Sequence, residues 1–185
     1  MDRSTEQLRD EWLALRCQAG DAGAFAELVE RFEPGLLYYA TKLLGSDSSG
    51  VDVLQDVWIR AFRTIRKLRH PGAVRAWLYR MVHGACVDSV RRGAARRRAE
   101  SAVAEMAQTV DDDSDEAFDA DDAAMIHAAL DHLSESHREV LMLFFLEEFS
   151  TSEIASIVEV PEGTVKSRLH HAKRAMRVIL ETKLA

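Results

Sequence analysis

The sequence predicts an all-α protein: two small helical domains joined by an acidic flexible linker, the C-terminal domain a helix-turn-helix. Three observations carry that expectation. Apolar residues recur at three- and four-residue spacing along most of the chain, the period of amphipathic helices, and only Pro34, Pro71 and Pro161 interrupt it. No stretch alternates apolar with polar residues over a useful window, and no Asn-Gly or Asp-Gly turn separates apolar runs, so no sheet is expected. Between about Gly93 and Asp122 the apolar period lapses and like charges replace it.

In chain order, helices are expected over about 5 to 18, 22 to 44, 50 to 67 and 73 to 92 in the first domain, residues 1–92. The run Gly45-Ser46-Asp47-Ser48-Ser49-Gly50 reads as a loop by composition, and Arg69-His70-Pro71-Gly72 as another because Pro and Gly stop helices. In the third helix Leu54, Val57, Ala61, Ile65 and Leu68 form the stripe that faces the core, which turns Asp52, Gln55, Asp56 and Arg60 outward. Residues 93–122 are the linker. As a coil of roughly 30 residues its ends would average about 30 Å apart, and full extension would allow about 100 Å.

In the second domain, residues 123–185, helices are expected over about 122 to 132, 135 to 148, 151 to 158 and 161 to 181. Ser150-Thr151-Ser152-Glu153 matches a capping box, in which the serine caps the third backbone N–H and the glutamate reaches back. A short helix through Ile154, Ile157 and Val158 then meets Glu159-Val160-Pro161, where proline suits the start of the next helix. In that last helix Val165, Leu169, Ala172, Met176 and Ile179 or Leu180 share one face. The opposite face carries Thr164, Ser167, His170, His171 and Arg174, with Lys166 and Lys173 on one flank and Arg168 on the other. Hydroxyl, imidazole and guanidinium groups so placed can meet base edges in a major groove while the lysines hold phosphates.

Composition supports a folded chain: 47% hydrophobic and 30% charged residues, with no apolar run near the ~20 residues that cross a bilayer. The N-terminus Met1-Asp2-Arg3-Ser4-Thr5-Glu6 lacks the apolar stretch of a signal peptide, so a cytoplasmic location without membrane insertion is expected. Cys17 and Cys86 stand apart from any metal or redox spacing and are expected as buried free thiols. The net charge of −7 hides strong segregation. From Arg60 to Arg98, twelve basic residues oppose Asp88 alone; from Glu100 to Asp122 there are ten acids and no Lys or Arg; from Gly163 onward six basic residues oppose Glu181. Two polyanion-binding footprints flank an acidic segment.

Leu133-Ser134-Glu135-Ser136-His137-Arg138-Glu139-Val140-Leu141, followed by Ser150 to Arg168 and above all Gly163-Thr164-Val165-Lys166-Ser167-Arg168-Leu169, resembles the minus-thirty-five domain of extracytoplasmic-function sigma factors of bacterial RNA polymerase. The resemblance covers nearly the whole chain. Asp52-Val53-Leu54-Gln55-Asp56-Val57-Trp58-Ile59-Arg60-Ala61-Phe62-Arg63 is similar to that family's polymerase-docking helix, which implies that Asp52, Gln55, Asp56 and Arg60 meet the beta-prime clamp of the core enzyme. Arg75-Ala76-Trp77-Leu78-Tyr79-Arg80-Met81-Val82-His83, with Arg91 and Arg92, resembles the minus-ten recognition and melting helix. Strand opening needs a basic groove and a surface that receives an unstacked base, so Arg69, His70, Arg75, Trp77 and Arg80 are candidates, with Arg91 and Arg92 for phosphate. Trp77 reads more readily as core than as such a surface.

The resemblance further implies promoter DNA and core polymerase as partners, an anti-sigma protein as inhibitor, and a linker that passes through the polymerase near the RNA path; a solubilising spacer explains the linker's charge as well. Three positions depart from the pattern. His83-Gly84 stands where the family often has Arg-Asn, and Glu159 occupies a turn position commonly held by glycine, at a cost of about 1 to 2 kcal/mol if that residue is left-handed. A stand-alone helix-turn-helix regulator is the alternative, and it leaves the Arg60 to Arg98 block unexplained. A metal enzyme built on His127, His132 and His137 is disfavoured because steps of five rotate each by about 140° around a helix. No catalytic residue, cofactor or metal is expected.

Overall fold

The computed structural model describes residues 5–45, 47–101 and 129–184. All regular structure there is helical. Helix α1 (Thr5–Gln18) turns into α2 (Ala22–Leu44) at a corner built by charge: Asp21 caps α2 by accepting from the Gly23 and Ala24 amides at 2.9 and 3.2 Å, and Arg16 grips Asp21 and Glu27 at 2.8 and 2.9 Å. The Arg16 hydrogen bond holds the Asp21 carboxyl below its usual range. Buried Asp10 on α1 pairs with Arg31 on α2. Gly45 ends α2 with φ of 66°, its amide on the Thr41 carbonyl, a left-handed cap that glycine adopts without a Cβ clash.

Helix α3 (Asp47–Thr64) buries Leu54, Val57 and Ala61 and continues through a 3-10 turn, Ile65–Lys67, in which Ile65 is buried; Leu68 beyond it is only half-buried. A second 3-10 turn, Pro71–Ala73, leads into α4 (Val74–Ser101). Helix α4 packs on α1, α2 and α3, and Leu78, Tyr79, Val82 and Cys86 fill the centre of the bundle. It runs nine residues beyond the helix end expected at 92. Residues 93–101 are therefore helix rather than linker: Ala and Arg favour helix by propensity even where no apolar stripe marks it. The rest of the expected linker, with its expected reach, and the first helix of the second half up to residue 128 lie outside the described residues.

In the C-terminal half α5 (Glu135–Leu141) passes into a π turn, Met142–Leu146, then α6 (Thr151–Ile157) and α7 (Glu162–Leu184). Helices α5 and α6 both pack on α7, around Val140, Leu143, Ile154, Ile157, Val165, Leu169 and Ala172. Helix α6 also packs on α4, so the two halves share one continuous core. That close packing contrasts with the separation a 30-residue coil would allow. Cys17 and Cys86 are buried free thiols, as expected, and burial pushes the Cys86 thiol up to about 12. No described helix is long and apolar enough to cross a membrane.

Candidate nucleic-acid interface

The last helix is positioned by local chemistry. Ser150 and Glu153 form the full capping box: the Ser150 amide donates to Glu153 at 2.9 Å and the Glu153 amide donates to Ser150 Oγ at 3.3 Å. After α6 the chain reverses through Glu159 at φ of 54°, the left-handed turn anticipated for that position. The Pro161 carbonyl accepts from the Thr164 and Val165 amides at 2.8 and 3.2 Å, so proline is the residue before α7 rather than its first. Thr151 Oγ1 donates to Glu162 at 2.7 Å and stitches α6 to α7.

With Val165, Leu169 and Ala172 buried, the far side of α7 is left to solvent. Lys166, Ser167, His170, His171, Lys173 and Arg174 are exposed, and Thr164 and Arg168 half-buried. Two of the lysines are not free cations. Lys166 pairs with Glu162 at 2.9 Å, and that hydrogen bond holds the Glu162 carboxyl below its usual range. Lys173 sits 4.8 and 5.0 Å from the ring centres of Phe144 and Phe145 in the π turn, which draws it toward α5. His171 stacks on His137 of α5 at 6.5 Å and meets His170 edge-on at 5.5 Å. His127 lies outside the described residues, and among those described no group of three or more His, Cys, Asp or Glu has an arrangement that holds a metal.

On α4 the candidate minus-ten residues divide. Arg69 and His70 are exposed on the loop ahead of the helix; Arg91 and Arg92 are exposed near its far end and line a 450 Å³ groove with Asp56, Val57, Arg60, Ala85 and Asp88. Trp77 is half-buried against the core, between its two readings. Arg75 and Arg80 instead face the C-terminal half. Arg75 donates to Glu147 at 2.9 Å and lies 4.5 Å over the ring of Phe149, and Arg80 donates to Glu159 at 2.7 and 3.0 Å. On α3, Asp52, Gln55, Asp56 and Arg60 are all exposed, and Ile59 and Phe62 beside them are 51% and 64% exposed, an apolar complement to that polar face.

Sequence reasoning missed the residues that join the halves. Glu139, buried on α5, accepts from Tyr39 Oη and shares its Oε1 with His83 Nδ1, each at 2.7 Å. Burial and the Glu139 charge push the Tyr39 phenol well above its ordinary value. Arg138 donates to four carbonyls, those of Leu130, Asp131 and Leu133 and, across the junction, Lys42 at 2.8 Å, while the Lys42 ammonium pairs with Asp131 at 2.7 Å. Gly35 on α2 belongs to the same junction: a Cβ there would lie 2.7 Å from Tyr79 Oη and 3.3 Å from Glu147. The one available signal was His83, which breaks the family pattern at the place where it meets Glu139.

Comparison with known proteins follows this layout. The Sigma-70 region 2 family model matches residues 28–97, past the expected boundary at 92 and along the extended α4, and the Sigma-70, region 4 model matches residues 123–176. The ECF RNA polymerase sigma factor SigL of Mycobacterium tuberculosis is 32% identical over 170 residues, covering 88% of this chain and 92% of that protein. The RNA polymerase sigma-H factor of Pseudomonas aeruginosa is 31% identical over 186 residues, 95% of each. Among solved structures, the sigma factor RpoE in complex with the anti-sigma factor NepR from Bartonella quintana superposes with a TM-score of 0.67 at 22% identity, covering 85% of this chain and 96% of that one. CnrH in complex with the cytosolic domain of CnrY gives 0.65 at 23% identity, covering 94% and 97%, so the helical architecture is shared. With both regions present in order, and relatives that align along nearly their full length, the chain belongs to the extracytoplasmic-function sigma factors of bacterial RNA polymerase.

Proposed function

We propose that the chain confers promoter specificity on core RNA polymerase and has no catalytic activity of its own. The observation that carries this is the outward face of α7, from Thr164 to Arg174, held by the capped helix α6 in the manner of a groove-reading helix. Thr164, Ser167, His170, His171 and Arg174 meet the minus-thirty-five element; Lys166, Arg168 and Lys173 hold flanking phosphates. Arg69, His70, Arg75, Trp77, Arg80, Arg91 and Arg92 serve the minus-ten element, and Asp52, Gln55, Asp56 and Arg60 dock on the beta-prime clamp. The region acting on the duplex lies in residues 123–185 and the region acting on the opened strand and on the polymerase in residues 1–92, with the helical continuation 93–101 and the segment beyond it between them. The protein works in the cytoplasm, where its polymerase is. An anti-sigma protein is its expected inhibitor, as the sigma factor RpoE of similar fold was captured with the anti-sigma factor NepR.

In vitro transcription with core enzyme and a genomic promoter library tests this directly. Start sites sharing a two-part motif are expected only when both proteins are present. Tight, sequence-specific duplex binding by the free chain, without any stimulation of core enzyme, would instead identify a stand-alone regulator.

A further inference from the structure

The contacts between the halves follow a charge pattern. Helix α4 directs Arg75, Arg80 and His83 at the C-terminal half, and each meets one carboxylate there: Glu147 at 2.9 Å, Glu159 at 2.7 Å and Glu139 at 2.7 Å. These acids come from three separate places, α5, the segment after the π turn, and the turn between α6 and α7. Among the described residues, the non-glycine residues with left-handed backbone are Glu148 and Glu159, so strain is held in the two turns that deliver Glu147 and Glu159. Phe149 completes the match, its ring 4.5 Å under the Arg75 guanidinium and packed edge-on against Tyr79 at 5.1 Å.

Carboxylate and phosphate oxygens offer arginine the same paired acceptors, and an aromatic ring offers the same face as an unstacked base. We infer that Glu139, Glu147, Glu159 and Phe149 form an internal stand-in for single-stranded nucleic acid, so that the C-terminal half and the opened promoter strand compete for the Arg75 to His83 face of α4. This inference rests on the reading of α4 as the strand-binding helix. The chain packed as described is closed to the strand at that face of α4, which is freed only after the halves part, while the α7 face stays exposed throughout. The Arg80–Glu159 pair, with side chains 54% and 62% exposed, is of the weak and salt-screened kind that lets such packing reverse.

The test uses the full-length chain with Glu139→Gln, Glu147→Gln and Glu159→Gln combined, against a charge-matched control carrying Glu30→Gln, Glu33→Gln and Glu135→Gln at exposed positions. Small-angle X-ray scattering reads the separation of the halves, and anisotropy of a fluorescein-labelled random-sequence 12-nucleotide single strand reads access to α4. Freeing a masked site raises apparent affinity by the inverse of its open fraction, so the triple variant is expected to expand and to bind about five- to ten-fold tighter than both native chain and control. By linkage, saturating 12-mer is expected to expand the native chain. Equal affinities of triple variant and control would overturn the inference, as would a triple variant that stays compact. Should removal of buried Glu139 unfold the chain, Glu147→Gln with Glu159→Gln leaves that carboxylate in place and must still show the same shift in part. Run-off transcription with core polymerase is read in parallel: its failure for native chain and variant alike would count against the sigma reading, while the scattering and 12-mer results judge the competition.

Discussion

At the residue scale, exposure alone does not rank the cations of α7. Lys166 is already paired with Glu162, whereas Arg174 has no carboxylate within the described ion pairs. Arg174→Ala is expected to weaken promoter binding and to lower its salt dependence by up to about one unit of log–log slope, as expected when one unpaired cation is lost from the DNA face, and Lys166→Ala by less. A titration of binding across a salt series separates the two; equal slopes for both variants would show that the Glu162 pair opens at no cost on DNA. Arg138 presents the opposite case, a cation used wholly for structure. Four carbonyls from two halves converge on one guanidinium, and Arg138→Ala is expected to destabilise the chain by about 2 to 3 kcal/mol, read as a shift of the urea midpoint.

At the scale of elements, α6 is two turns long and owes its start to its cap. Ser150→Ala is expected to cost about 1 kcal/mol, visible as a lowered melting temperature. The turn between α6 and α7 gives a prediction of the other sign. Glu159 holds a left-handed backbone, and its pair with Arg80 is largely exposed. Relief of backbone strain outweighs a screened surface pair, so Glu159→Gly is expected to stabilise by about 0.5 to 1 kcal/mol in thermal melting. A loss of stability would show that the Arg80 contact outweighs the strain. Elements were the best-read level of the sequence, because their signals are local. The capping box, the buried stripe from Leu54 to Ile65 and the apolar face of α7 each lie within one or two helical turns. Helix α4 was read short at 92 because an apolar period reports burial against a neighbour, and residues 93–101 are helical on propensity without that mark.

At the scale of the whole molecule, Asp56 and Arg60, proposed for the polymerase, share one groove with Arg91 and Arg92, proposed for DNA. Asp56→Lys is expected to impair association with core polymerase in a pull-down while leaving the urea midpoint unchanged, because Asp56 is exposed and makes none of the described ion pairs; normal association would remove it from the docking face. The packing of the halves was the illegible part. Tyr39 and Glu139 are 100 residues apart and Lys42 and Arg138 are 96 apart, separations at which no periodicity or spacing survives. Glu147 and Glu159 look in sequence like any solvated loop acid; only the fold reveals that a cation stands opposite each. The π turn Met142–Leu146 adds a last consequence. Its Glu147 amide reaches back five residues to Met142, where an α-helix would reach four. One extra residue per turn resets the angular phase of everything that follows by about 100°. The aim of Glu147 at Arg75 is thus a matter of counting as well as of charge, and a relative with the same acids but an unbroken α-helix here would point them elsewhere.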